Sequence, residues 1–443
     1  MNQIQANHPS DRRLTILLIA AAFFVTLAAV WRVAGDHAGP TAAAPARAFT
    51  PPAAAETAAQ LRARLQARPN DADAYAALGL ALLQQARETA DPALYGQAEA
   101  ALGEALARDP DQLDGLVGQG VLALARHDSA PALGWGERAR TAMPYRADAL
   151  GVIVDAHIEL GQYEAAIATA QAMVDLRPDL SSYSRVAYLR ELHGDTAGAV
   201  AAMRAAADTG APRGEATAWT LVQLGHLYFN SGDPGNAASV YDQALAALPH
   251  YPHALAGKAR VRTAAGDHAA AIAAYEAVVA RLPLPEFVIA LGRLYELTSQ
   301  PEKAAAQYDL VRVMNQLNAD AGMNVDLEMA LFEADHGDPA AALAMAEAAY
   351  ANRPTIYAED ALAWAYYRVG RYDEAWPLSE RALRLGTRDA LLRYHAGMIA
   401  AAVGEDAAAK THLRAALAIN PDFDPLYARE ATEMLAAIAG RGE

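Results

Sequence analysis

The chain has 443 residues, no cysteine, and a formal net charge of -16 from 52 acidic and 36 basic residues. The absence of cysteine excludes disulfides, thiolate metal sites and cysteine catalysis. The acidic balance opposes binding to a phosphate backbone, so we expect no nucleic-acid partner.

The N-terminal region is predicted to attach the chain to a membrane. Residues 14–31, LTILLIAAAFFVTLAAVW, carry no charge and are near the minimum length of a transmembrane helix. The preceding Arg12 and Arg13 place residues 1–13 in the cytoplasm as a short tail, and the rest of the chain outside. This pattern predicts a single-pass protein of the cytoplasmic membrane. A cleavable signal segment is the alternative, and it would make the protein secreted.

Three further segments flank a long repeating region. Residues 32–55 are rich in Ala and Pro and predict an extended linker. Residues 56–71 predict a leading helix, in which Leu61 and Leu65 share a face and Pro69 ends the helical pattern. At the other end, residues 422–443 predict a capping helix.

Between these segments, residues 72–421 repeat one unit that is clearest at 219–249. Leu221 and Gly225 lie on one helical face, Gly232 breaks the helix, and Ala237 and Tyr241 lie on the face of a second helix. The period is about 34 residues, and about ten windows fit. The position of Ala237 is alanine in every window: Ala98, Ala132, Ala166, Ala199, Ala271, Ala304, Ala342, Ala375 and Ala409.

This pattern resembles the tetratricopeptide repeat (TPR) family, and the chain as a whole resembles membrane-anchored bacterial-type members. The resemblance implies an all-α fold, a right-handed α-solenoid of about ten helix-turn-helix hairpins. A few extra residues at 212–217 interrupt the period and mark a possible seam in the array. In this family, protein or peptide clients are bound in the concave groove.

The motif search favours binding over catalysis. The chain has no HExxH, no GxSxG and no phosphate-binding loop. We therefore predict no catalytic residue, metal site or cofactor, and a scaffold that is not an enzyme. One alternative is an assembly factor, because LRARLQARPNDADAYAALG (61–79) resembles a junction in cytochrome c maturation proteins, although their second transmembrane segment is missing here. Another is an enzyme or regulatory subunit with a site in the groove.

Candidate ligand residues follow from the family's groove positions. Carried over repeat by repeat, these positions fall on the first helix of four successive hairpins, with three more side chains nearby on the same helices. The resemblance implies a basic and aromatic strip for an acidic peptide or a C-terminal carboxylate. The alternative is that the arginines pair with neighbours such as Glu191 and Glu296. The strip comprises Tyr188, His226, Arg260 and Arg293, with Arg185, Phe229 and Asn230.

A second candidate surface lies near the end of the array. Tyr357, Asp360, Trp364 and Tyr367 share the ligand-facing side of one helix. Aromatic side chains of this kind are typical of interface hot spots. The alternative is that they form core contacts between the last two repeats.

Overall fold

The computed structural model describes residues 57–440, which form 22 α-helices and no strand. The predicted tail, membrane segment and linker (1–13, 14–31 and 32–55) lie outside these residues. Within 57–440, no helix combines the length and apolar character that crossing a bilayer requires. The predicted all-α solenoid is confirmed, because α1 precedes ten consecutive hairpins, α2/α3 to α20/α21, and α22 follows them.

The helices of the first half are α1 (Ala58–Ala67), α2 (Ala72–Thr89), α3 (Ala93–Arg108), α4 (Leu113–Ala125), α5 (Ser129–Ala142), α6 (Ala147–Glu159), α7 (Tyr163–Leu176), α8 (Leu180–Leu192), α9 (Thr196–Thr209), α10 (Glu215–Asn230) and α11 (Pro234–Ala247). Those of the second half are α12 (Pro252–Ala264), α13 (His268–Arg281), α14 (Pro285–Leu297), α15 (Pro301–Asp320), α16 (Asp326–His336), α17 (Pro339–Asn352), α18 (Ile356–Arg368), α19 (Tyr372–Ala382), α20 (Ala390–Ala402), α21 (Asp406–Ile419) and α22 (Tyr427–Gly440).

The α10/α11 hairpin shows why the repeat folds as it does. Gly232 adopts φ +82°, a left-handed turn that glycine tolerates. Asp233 then caps α11 by accepting a hydrogen bond from the Asn236 amide at 3.0 Å. The fully buried Tyr241 ring fills the space beside Gly225, where an added Cβ would lie 2.3 Å from the ring. The small residue on the first helix therefore makes room for a large one on the second.

The recurring alanine is the closest-packed position of the array. Its side chain is 0% exposed in nine of the ten hairpins, and Ala304 is 2% exposed. A larger side chain there would separate the two helices of a hairpin. The sequence pattern thus identifies the helix-helix contact in each repeat.

The later hairpins lie against the earlier ones. The turns between the two helices of hairpins two to five contact the linkers that connect the later hairpins. These linkers lie between hairpins seven and eight, eight and nine, and nine and ten, and between hairpin ten and α22. The Asn324 amide donates to the Arg126 carbonyl at 2.9 Å, and the Ile356 amide donates to the Tyr163 hydroxyl at 2.9 Å. The Asn420 side chain donates to the Phe229 carbonyl, also at 2.9 Å. Successive turns of the superhelix are therefore stacked directly on each other.

A buried arginine reinforces this stacking. Arg353, between α17 and α18, is 2% exposed. Its guanidinium lies 3.1 Å from the Glu159 carboxylate and 2.9 Å from Nδ1 of His127, both on the earlier turn. Burial and the Arg353 charge lower the pKa of His127, which keeps its ring a neutral acceptor.

Candidate functional site

A cavity of about 890 Å³ lies between the stacked turns. It is lined by parts of helices from α8 to α21 and by the segment that leads into α22. Its apolar wall includes Leu227, Ile289 and Leu297, and polar and charged side chains also line it. The cavity volume is within the roughly 300–1,000 Å³ of ligand-binding pockets.

Arg260 is a cavity arginine that no carboxylate of 57–440 neutralises, as is Arg388 in the same lining. The Arg260 guanidinium, on α12, stacks over the Phe229 ring at 4.0 Å and donates a hydrogen bond to the Asn230 side-chain oxygen at 2.9 Å. It forms no ion pair with any residue in 57–440. These contacts fix the side chain while its charge remains available to a ligand.

Arg293 also lines the cavity, but its charge is used within the protein. It forms ion pairs with Asp335 at 2.9 Å and with Asp424, and it donates to the Tyr427 hydroxyl at 3.1 Å. Burial, followed by the Arg293 charge, lowers the pKa of the neighbouring His336 to about 4. Arg293 therefore holds α14 against α16 and the segment before α22.

The remaining residues of the strip lie outside the cavity lining. Arg185 forms an ion pair with Asp155 at 2.6 Å. Nδ1 of His226 lies 2.8 Å from the Tyr241 hydroxyl, and burial, with a smaller effect of Arg260, lowers the pKa of His226 to about 3. Tyr188 is partly buried, and burial raises its pKa. The structure thus brings Phe229, Asn230, Arg260 and Arg293 together in the cavity, without the other three.

The second candidate surface divides between cavity and core. Tyr357 lines the cavity. Asp360 and Trp364 are 2% and 1% exposed. The Asp360 carboxylate lies 2.8 Å from Nδ1 of His395, and the Trp364 ring stacks on the Tyr367 ring with a centroid distance of 4.7 Å. Asp360 and Trp364 are therefore core residues that no ligand can reach, as in the alternative interpretation.

The cavity also holds carboxylates that the sequence pattern does not mark as site residues. Glu191, Glu286 and Asp389 all line it, and burial raises the pKa of each. For Glu191 the rise is to about 7, because of burial and then the nearby Asp389 charge. Asp389 accepts hydrogen bonds from the Leu391 and Leu392 amides at the start of α20. These residues come from distant hairpins, so no sequence spacing connects them.

Parts of the array match models of a known repeat family. Residues 152–214, 222–284 and 259–319 match one family model described as tetratricopeptide repeat, and residues 360–394 match a second model of the same description. These residues carry tetratricopeptide repeats. No curated protein matches the chain.

Solved structures of other proteins are similar to the array. The Cut9–Hcn1 hetero-tetramer of the APC/C is 17% identical, with 86% of this chain and 67% of that chain covered and a TM-score of 0.39. The human IFIT1 dimer with PPP-AAAA is 16% identical, with 71% and 73% covered and a TM-score of 0.47. A tetratricopeptide repeat protein from Parabacteroides merdae is 19% identical, with 58% and 98% covered and a TM-score of 0.34.

The cavity of the TPR array also brings together acidic and histidine side chains of the kind that an enzyme site in the groove would use. Carboxylates and the histidines His268 and His336 line the same space. Within 57–440, no group of three or more His, Cys, Asp or Glu side chains has the arrangement of a metal site. Four of the seven cavity acids in this range have structural partners, since Asp335 and Asp424 pair with Arg293, Glu328 pairs with Arg353, and Asp389 caps α20. Glu191 differs from these acids because its pKa of about 7 would let it donate or accept a proton near neutral pH.

Proposed function

We propose that this TPR protein is a non-catalytic interaction scaffold that holds a peptide segment of a client protein in the cavity between the stacked turns. The observation that carries the proposal is Arg260, an arginine fixed by Phe229 and Asn230 with no acidic partner in 57–440. A buried or half-buried cation of this kind favours an anionic ligand group, which would form charge-assisted hydrogen bonds. A client carboxylate fits this requirement.

The acidic side chains of the cavity restrict which client peptides can bind. A purely acidic peptide would be repelled by Glu191, Glu286 and Asp389, which share the cavity with Arg260. A basic side chain next to the carboxylate would instead be attracted to them. The preferred segment therefore carries both charges and an apolar residue for the wall at Leu227 and Ile289.

Peptide binding tests the role of Arg260. Fluorescein-labelled octapeptide pools with acidic, basic, mixed or neutral side chains would be titrated with the full chain by fluorescence polarisation. We expect the mixed pool to bind most tightly, and Arg260→Gln to weaken binding about tenfold or more through the loss of a charged hydrogen bond. Arg262→Gln, two residues away on α12 and outside the cavity lining, is the matched control. Equal binding by both variants would overturn the assignment.

An enzymatic role is the second candidate, favoured by one observation. A carboxyl group with a pKa of about 7, such as Glu191, can donate or accept a proton at neutral pH. Its test is a screen of chromogenic ester, phosphate and glycoside substrates with wild type, Glu191→Gln and the exposed Glu164→Gln. Turnover lost only in Glu191→Gln would replace the scaffold proposal, whereas turnover that all three share excludes Glu191.

We also propose that residues 14–31 anchor the protein in the cytoplasmic membrane, with the array on its outer side. The support is the uncharged stretch after Arg12 and Arg13. Alkaline phosphatase fused after residue 443 reports the side of the membrane, because this enzyme is active only outside the cytoplasm. Activity that stays with the membrane after alkaline extraction supports the anchor. Activity in the soluble fraction supports cleavage, and an inactive fusion contradicts the orientation.

A further inference from the structure

One helix of the array has an apolar stripe that nothing in residues 57–440 covers. On α15, Leu310 is 36% exposed, Val313 58% and Leu317 55%, and Ala306 is also exposed. The opposite side of the same helix, at Ala304, Tyr308 and Val311, is buried within the array. The four exposed side chains, Ala306, Leu310, Val313 and Leu317, are called the α15 stripe.

The spacing of the α15 stripe is that of a coiled-coil seam. Its residues are separated by four, three and four positions, which keeps them on one narrow face of the helix. The helix is 20 residues long, whereas α11, α13 and α17 at equivalent positions have 14. The extra residues near 317–322 therefore lengthen α15 and extend the stripe.

The ends of the stripe carry opposite charges. Lys303 lies three residues before Ala306, and Asp320 lies three residues after Leu317. Neither forms an ion pair with a residue of 57–440. Lys303 lies over the Tyr295 ring at 5.1 Å, and Asp320 accepts a hydrogen bond from the Gln316 side chain at 2.8 Å.

These features are self-complementary when two copies of α15 run antiparallel. Lys303 of one copy then meets Asp320 of the other, Ala306 meets Leu317, and Leu310 meets Val313. The charges are opposite, and the smallest side chain of the stripe faces a leucine. A parallel pair would place Lys303 against Lys303 and Asp320 against Asp320, which is unfavourable.

We propose that the α15 stripe is a dimerisation surface and that its partner is a second copy of this chain, paired antiparallel about a two-fold axis. A C2 interface of this type uses the same patch on both subunits. A helix of 20 residues is roughly 30 Å long at about 1.5 Å per residue. One such pair gives an interface at the low end of the usual size range, so the dimer is reversible.

Cysteine crosslinking tests the pairing, because the natural chain contains no cysteine. Full-length Ala306→Cys and Leu317→Cys would each be oxidised alone and as a mixture. In the antiparallel dimer, position 306 faces 317 of the other copy, whereas identical positions are offset by 11 residues, roughly 16 Å along the helix. This offset exceeds the roughly 7 Å limit between Cα atoms for a disulfide. We expect a crosslink in the mixture and almost none in either variant alone.

Charge exchange supplies an independent measurement. Asp320→Lys places two lysines together at both ends of the dimer, and we expect it to raise the dimer dissociation constant about tenfold in sedimentation experiments. Adding Lys303→Asp to the same chain should restore the wild-type value. Tyr145→Asp, at an exposed residue outside α15, is the control and should change nothing.

Each outcome decides the proposal. Mixed crosslinking together with rescue by the double charge exchange supports it. Efficient crosslinking of each single variant alone would indicate a parallel pair and overturn the geometry. A chain that sediments as a monomer with no crosslink would overturn the dimer.

Discussion

At the residue scale, Glu191 is the side chain whose ionisation most affects the stacked turns. It lies on α8 in the earlier turn, and the Asp389 charge that raises its pKa lies at the start of α20 in the later one. A hydrogen bond from the Asn230 side chain opposes this effect without cancelling it. Deprotonation therefore places two carboxylates together where the turns meet.

The raised pKa of Glu191 predicts a stability that falls with pH. Its folded value is about 7 and its ordinary value is 4.5. An unfolded chain therefore loses this proton first, and the folded state becomes progressively less stable between these pH values. Above about pH 7 the full penalty applies, at most about 3 kcal/mol. We expect Glu191→Gln to stabilise the protein at pH 8 and to leave its stability nearly unchanged at pH 4.5.

Urea unfolding at several pH values measures this effect. Glu164→Gln, an exposed substitution on α7, is the control and should show no comparable gain at pH 8. A gain for Glu191→Gln that is the same at pH 4.5 and pH 8 would mean that packing, and not ionisation, is responsible.

At the element scale, the hairpin is set by pairs of small and large side chains. The Tyr241 ring lies between Gly225 and Gly257, where added Cβ atoms would lie 2.3 Å and 2.5 Å from it. Gly225→Ala must move this buried ring, and we expect a loss of about 1–3 kcal/mol. Gly235, on α11, has space for a methyl group, so Gly235→Ala should add up to about 1 kcal/mol through helix propensity.

Thermal and urea unfolding distinguish these two substitutions. The pair uses the same chemical change in the same hairpin, so it separates ring packing from backbone freedom. If both variants were stabilised, the Tyr241 ring would have enough freedom to move, and the close contact would not limit the hairpin.

The repeat rule also explains what the sequence could predict. Each hairpin is specified by local residues, such as Gly225, Ala237 and the turn at Gly232, so the fold could be recognised from a period of about 34 residues. Arg260, Phe229 and Asn230 were candidates because equivalent positions line the groove of the resembling family. Ion pairing of Arg293 was the alternative interpretation, but its partner Asp424 could not be foreseen, because it is 131 residues away and belongs to a non-repeating segment.

At the scale of the whole molecule, the stacked turns satisfy each other's helix ends. The first amides and last carbonyls of a helix lack partners within it. The Tyr163 hydroxyl accepts from the first amide of α18, and the Asn420 side chain donates to a carbonyl in the last turn of α10. Since each contact pairs a side chain with a backbone group of a distant hairpin, the repeat pattern gives no sign of it, and the cavity could not be predicted from the sequence.

The hydrogen bond to Tyr163 can be removed by deleting a single oxygen atom. Tyr163→Phe keeps the buried ring but leaves the Ile356 amide without its acceptor, which costs about 1–3 kcal/mol for a buried group. We expect hydrogen exchange at Ile356 to rise about tenfold or more, because an opening free energy lowered by about 1.4 kcal/mol has this effect. Amides in the middle of α17 should exchange as before, since their bonds lie within one helix. Tyr145→Phe, at a tyrosine that is 82% exposed, is the control. Unchanged exchange at Ile356 in Tyr163→Phe would show that the turns stay together without this hydrogen bond, and that Arg353 and the backbone contacts are sufficient.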